Sequence, residues 1–392
     1  MSERDQERRA MAVACGAHAL HDGYTDLIYV MLPIWQGEFG LGFAALGLMK
    51  TVFSGTLAGF QVPSGFLAER IGAPMVLALG TALAGTGYVL GGFSTGVMTL
   101  VAALFVGGLG ASTQHPLGSS LIAQAYAGAR SRTALGTYNF AGDIGKMTVP
   151  ALASLLLLIL PWRQALIVLG GLGLIGAVAI FVLMPRLREA APAAKNENRA
   201  ARPGGRLHAL GFPLLLSVGI IDSATRMAFL TFLPFVLTAK GASVQTIGLS
   251  LTLVFAGGAA GKLVCAFIGA RIGTIATVWL TETVTALGIV ALLPLPLEGA
   301  MVLLPVVGVA LNGTSSVLYG SVPDLVAPEK RMRAFGVFYT GTIGAGAVSP
   351  ALYGLLGDAV GVPSALMAVA AIVLVTLPLT LMLRPALAVE PA

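Results

Sequence analysis

The chain is written twice. Arg132 opens a segment running Ala134-Leu135-Gly136 and closing Pro150-Ala151-Leu152, and Arg333 opens Ala334-Phe335-Gly336, closing Pro350-Ala351-Leu352. Leu32-Pro33 is answered by Leu233-Pro234, Gly47-Leu48 by Gly248-Leu249, and Arg70-Ile71-Gly72 by Arg271-Ile272-Gly273. The offset stays at 200 or 201 residues. Each copy is a string of apolar segments, and a span needs about 20 such residues. A tandem unit of this kind gives two equivalent helical bundles that can rock about a site between them.

Composition decides the solvent. Hydrophobic residues make up 56% of the chain and charged residues 10%, against roughly 25% charged in soluble domains. The 51 glycines suit helices that approach closely in lipid, where no hydrophobic force drives association. The net charge of +6 does not indicate nucleic acid. Lys and Arg gather in segments that share one side: Arg4 to Arg9, Arg70, Arg130 and Arg132, the run from Arg186 to Arg206, Arg271, Lys330 to Arg333, and Arg384. The opposite loops hold Arg163 and Lys240. By the positive-inside rule both termini are expected in the cytoplasm. The polar start, Met1 to Arg9, does not read as a cleavable signal.

Twelve spans can be drawn, near 11–36, 44–66, 74–94, 98–126, 134–160, 164–184, 209–237, 245–268, 274–296, 299–322, 334–357 and 363–383. The expected fold class is all-α membrane protein, with 12 transmembrane helices in two six-helix pseudo-symmetric halves, 1–184 and 209–392. Residues 185–208 form a polar, Pro- and Ala-rich cytoplasmic linker. Trp35 and Trp162 fall at outer ends, where an aromatic belt is expected, and Lys50 is placed to snorkel. Cys15 and Cys265 lie in spans and predict no disulfide.

Six plus six spans about a polar loop resemble the major facilitator superfamily over essentially the whole chain. The loop after span 2, Gly65-Phe66-Leu67-Ala68-Glu69-Arg70-Ile71-Gly72, is similar to that family's Gly-x-x-x-Asp-Arg-x-Gly motif. Glu69 replaces the acid, and Ala73-Pro74 replaces the following basic pair. His18, His21-Asp22, Leu32-Pro33 and the run Gly107 to His115-Pro116 resemble the fosmidomycin-resistance type of exporter. The resemblance implies alternating access and a lean towards export.

An ionised side chain at mid-bilayer costs about 2.5–3.5 kcal/mol on insertion scales, so each one needs a reason. His18, Asp22 and Asp26 are spaced i, i+4, i+8 and form one helical stripe. These three, with His21 and Asp143, are the proton-coupling candidates; the alternative is polar packing without titration. Arg226, Lys146, His115, Asn139, Tyr138 and Asp222 are the substrate-cavity candidates. Asp222 and Arg226, one turn apart, can also neutralise each other. Asp143 and Lys262, at similar depth, are candidates for a gate between the halves. Asp143 with Lys146, or Lys262 with Glu282, are the local alternatives. Gly65, Glu69, Arg70 and Gly72 are the cytoplasmic loop motif.

No Walker-type loop or dinucleotide fingerprint occurs. His18 and His21 could share a metal, but no further ligand is evident, so no metal site and no cofactor are expected. The expectation is a proton-coupled secondary transporter, not an enzyme, acting as a monomer in a bacterial-type inner membrane. Its partners are protons, the lipid bilayer and a small anionic or zwitterionic solute, which it exports; nucleic acid is not a partner. An uptake permease for an organic acid or sugar derivative is the alternative, and a non-transporting membrane sensor is the rival from another class.

Overall fold

The computed structural model describes residues 3–126, 129–185, 210–327 and 330–387, and the linker read over 185–208 lies outside them save for Pro185. No strand occurs among the described residues. The first half contains α1 (Glu3–Phe39), α2 (Phe43–Gly59), α3 (Gln61–Ile71), α4 (Ala73–Gly92), α5 (Val97–Ala111), α6 (Gln114–Ala125), α7 (Ala129–Leu156) and α8 (Trp162–Leu183). The second contains α9 (Gly211–Ala239), α10 (Val244–Leu292), α11 (Leu297–Leu325), α12 (Arg331–Val360), α13 (Val362–Val373) and α14 (Thr376–Leu387).

Several drawn spans differ from single helices. The second is two helices, α2 and α3, bent by 43°. The fourth breaks between α5 and α6 at Ser112-Thr113, whereas the two spans over 245–296 are two helical stretches within α10 that meet at a kink at Gly273. Nine helices among the described residues are long and apolar enough to cross a membrane, ten with the bent pair. α1 and α7 are not among them, although they have 37 and 28 residues. Those two helices carry many of the charged residues identified from sequence.

The chain divides into two compact units. One comprises Met1–Leu41, Leu48–Ala193 and Ala242–Thr252; the other comprises Gly42–Gly47, Ala194–Gly241 and Leu253–Ala392. Each has a core built from corresponding residues. In the first unit Ala14, Ala17, Leu77, Leu121 and Tyr138 pack together, and in the second Leu215, Val218, Val278, Val322 and Phe338 do so. The duplication also reaches the backbone. Gly40 and Gly241, with φ of 63° and 86°, and Gly72 and Gly273, with φ of 91° and 81°, are paired positive-φ turns, a conformation that a Cβ disfavours. α8 shows what these helices face. Trp162, Leu166, Leu169 and Gly173 are buried, while Ile175, Val178, Phe181 and Val182 are each more than 60% exposed, an apolar outer face suited to lipid.

Two expectations from sequence are corrected. Trp35 and Trp162 do not form an exposed belt: both are buried and meet edge to face at 6.3 Å. Lys50 does not snorkel. It is 1% exposed, donates to the Thr25 carbonyl at 2.6 Å and lies 4.4 Å from the Tyr29 ring centroid. Both corrections have one cause: hydropathy locates a residue along a span but not around it.

Candidate functional site

The first unit gathers its charges round Asp22. His18, His21, Asp22 and Asp26 are all buried on α1. α7 comes close because Gly145 has no side chain where the Ala19 carbonyl passes, so the two backbones touch. That approach brings Lys146 Nζ to 3.3 Å from Asp22 Oδ2 and 4.0 Å from Asp143 Oδ1. The local pairing of Asp143 with Lys146 is therefore present. The break at Ser112-Thr113 lets α6 start afresh, with Pro116 in its first turn, where a missing N–H removes no helical bond. His115 is thereby delivered to the same carboxylate.

Three imidazoles converge on one oxygen. His18 Nε2, His21 Nε2 and His115 Nε2 lie 3.4, 3.7 and 3.8 Å from Asp22 Oδ1. His18 Nδ1 donates to the Tyr138 carbonyl at 2.8 Å, and the two rings stack at 4.1 Å. A carbonyl only accepts, so this bond fixes the proton on Nδ1. Tyr138 is held by Gln114, whose Nε2 donates to its hydroxyl at 3.2 Å. Gly142 completes the wall: a Cβ there would lie 2.6 Å from Asp22 Oδ2 and 2.9 Å from His18 Nε2. Gln114 and Gly142 carry no charge, and sequence reasoning missed them. Asn139 is exposed on α7 and does not join the group. Asp26 lies one turn beyond Asp22, and Lys50 is a second lysine within this unit, fully enclosed.

In the second unit Asp222 and Glu282 are buried neighbours, 4% and 1% exposed, with Thr314 beside Glu282. Arg226, one turn along α9, acts electrostatically on both; its Nε is buried without a hydrogen-bond partner among the described residues. Thr314 bonds Thr281, and Tyr319 approaches Thr342 at 3.4 Å. The sequence offered Glu282 as a local partner for Lys262. In the structure Glu282 neighbours Asp222, and the half-buried Lys262 lies on the other side of the Gly273 kink. In the loop motif Gly72 supplies the positive-φ stop of α3, while Glu69 and Arg70 are exposed.

The duplicated positions show that the fold does not require these charges. At an offset of 201 residues His18 and Asp22 correspond to Gly219 and Ser223; at 200, Tyr138 and Lys146 correspond to Phe338 and Gly346. In the second unit a Cβ on Gly219 would meet the Phe338 ring, and one on Gly346 would lie 2.8 Å from Ser223 Oγ. At those four positions the same helix pair packs with no ionisable group.

Two bundles of membrane-spanning helices from one duplicated unit define a membrane transporter rather than an enzyme. The family model described as Major Facilitator Superfamily matches residues 14–215 and 215–392, and the chain belongs to that superfamily. It is 25% identical over 351 residues to the fosmidomycin resistance protein of Escherichia coli K12, covering 87% of this chain and 84% of that one. It is 27% identical to a probable sulfoacetate transporter of Cupriavidus necator, covering 85% and 83%. Among solved structures, a bacterial homologue of the human lysosomal transporter Spinster, inward-facing and unoccupied, superposes with a TM-score of 0.81. That match covers 99% of each chain at 15% identity, which shows the fold.

Proposed function

We propose that the chain is a proton-driven secondary transporter, working by alternating access, that exports a small anionic or zwitterionic solute. The observation that carries this reading is the buried group of Asp22, Lys146 and the imidazoles of the first unit, at positions where the second copy manages with Ser223, Gly346 and Gly219. Charges kept inside spans without a packing role mark substrate or ion pathways. Lys146 in the first unit and Arg226 in the second are each a cation suited to an anionic group, and the exposed edge of His115 adds polar surface near Lys146. Similarity to proteins named for resistance and for sulfoacetate transport supports a small organic anion, and the former supports export.

For the driving ion we assign Asp222 with Glu282. Two buried carboxyls side by side repel when both are ionised, and one proton on the pair relieves that repulsion. Arg226, Thr314 and Tyr319 are the polar groups round that pair. Asp26 and Asp143 are the further acidic positions within the first unit, and Asp22 is committed to Lys146 and the imidazoles. The protein acts as a monomer in the cytoplasmic membrane with both termini inside, the side on which its Lys and Arg concentrate.

Reconstituted liposomes with an internal pH dye test the reading, challenged with phosphonates, sulfonates and carboxylates. A solute-dependent proton flux is expected in the wild type. Asp222→Asn should lose that flux while still exchanging solute for solute. An unchanged signal in Asp222→Asn would move the proton site elsewhere. Solute exchange without proton movement in the wild type would end the proton-driven reading.

A further inference from the structure

We infer that His18, Asp22 and His115, with His21 beside them, form a binding site for one divalent transition-metal ion of the zinc, cobalt or nickel type. The inference does not depend on which solute is carried or in which direction.

The argument begins with lone pairs. His18 keeps its proton on Nδ1 for the Tyr138 carbonyl, so its Nε2 presents a lone pair to Asp22 Oδ1, 3.4 Å away. Two acceptors facing each other repel unless a cation stands between them. The problem recurs on α1. Nε2 of His18 and Nε2 of His21 are both buried with no hydrogen-bond partner among the described residues, in side chains 3% and 6% exposed. Protonating the rings is a poor remedy. Three imidazolium ions round one carboxylate would add to the charge of Lys146, already 3.3 Å from Oδ2. A single divalent ion satisfies His18, Asp22 and His115 at once.

The distances fit. Bonds of 2.0–2.1 Å to nitrogen and oxygen, arranged tetrahedrally, separate the ligand atoms by about 3.3 Å. The three histidine nitrogens stand 3.4, 3.7 and 3.8 Å from Asp22 Oδ1. The donor atoms of His18, Asp22 and His115 all lie within 4.8 Å of one another. Closing the group to tetrahedral spacing needs an inward movement of at most about 1.5 Å, which the partly exposed His115 side chain can supply. Lys146 holds Oδ2, which leaves Asp22 a one-oxygen ligand. Two imidazoles and one carboxylate, with a fourth position open to solvent, suit borderline metals, whereas calcium and magnesium need oxygen donors. The His18–Tyr138 bond is the orienting contact that ligating histidines typically make. The His115 side chain, 45% exposed, is the side from which an ion enters.

The full-length protein, purified in detergent and stripped of metal, tests this by titration with Co2+. One Co2+ per chain is expected, with the intense visible bands of a four-coordinate ion, and Zn2+ should displace it. Losing an orienting partner weakens metal sites about 10–100-fold, and His115→Ala, which removes a ligand, should cost at least about tenfold. His115 is partly exposed, so that variant should fold. His208→Ala, the chain's other histidine, should leave the titration unchanged. Absence of the Co2+ bands together with no Zn2+ retained on dialysis of the wild type would overturn the inference. Wild-type affinity in both His115→Ala and Asp22→Asn would overturn it as well.

Discussion

Replacing Lys146 by Met should destabilise the protein by leaving Asp22 charged and buried. The pair is 3.3 Å apart, with side chains 29% and 7% exposed. At an effective dielectric of about 20 the attraction over that distance is about 5 kcal/mol. Water reaching the lysine screens part of this. We expect a net loss of about 2–3 kcal/mol, below the range for breaking a fully buried pair. For units of this size each kcal/mol moves the midpoint by about 2–4 °C, so the melt should fall by about 4–12 °C. The chain supplies its own reporter: Cys265 is buried and Cys15 half-buried, so a thiol-reactive dye labels both on unfolding. Lys146→Met combined with Asp22→Asn removes both charges and should recover most of the loss. A double variant no more stable than Lys146→Met alone, or a Lys146→Met melt that matches wild type, would refute the reasoning.

Two further outcomes test the fold. Gly65 and Gly72 both have open space where a Cβ would go, but only Gly72 has positive φ, at 91°. Gly72→Ala should cost about 1–3 kcal/mol in backbone strain, whereas Gly65→Ala, inside α3, should gain about 0.5–1 kcal/mol; melts of the same sign for both would contradict this. At the polar start of α1, Arg130 donates to both oxygens of Glu7, at 2.9 and 3.0 Å, and holds its carboxyl below the usual range. A lowered folded value stabilises above the unfolded pKa of about 4.3 and is lost as pH falls through the folded one. The melting gap between wild type and Glu7→Gln should therefore be steady at neutral pH and close on acidification; a gap that widens in acid would refute the assignment.

Much of the fold could be read because duplication and hydropathy act along the chain. The paired Arg70-Ile71-Gly72 and Arg271-Ile272-Gly273 turns marked matching stops, and both glycines have positive φ. What the sequence did not show was rotation about the helix axis. Lys50 and Trp35 were given to the surface by depth alone, yet packing turns both inward. The candidate site was legible in part. The i, i+4 spacing put His18 and Asp22 on one face, but His115 lies on another helix, and only the break before α6 brings it near. Gly142 and Gln114 shape the site through absence of bulk and through a neutral amide, which charge-based reasoning does not register.

The two copies separate what the fold needs from what was added to it. Ala14, Leu77 and Tyr138 in one unit and Leu215, Val278 and Phe338 in the other fill equivalent core positions. These hydrophobic positions changed size between the copies without changing place. The polar positions changed chemistry instead. Where the first unit has His18 stacked on Tyr138, the second has Gly219 under Phe338; where the first has Asp22 against Lys146, the second has Ser223 against Gly346. The second unit places its own carboxyls at Asp222 and Glu282, one residue out of register with Ser223 and on a different helix pair. One position is ionisable in both copies, His21 and Asp222, while the other charged positions of each cluster have neutral counterparts in the other. Charges that differ in this way are additions to the common fold, in keeping with the ligand site proposed for the first unit and the proton site proposed for the second.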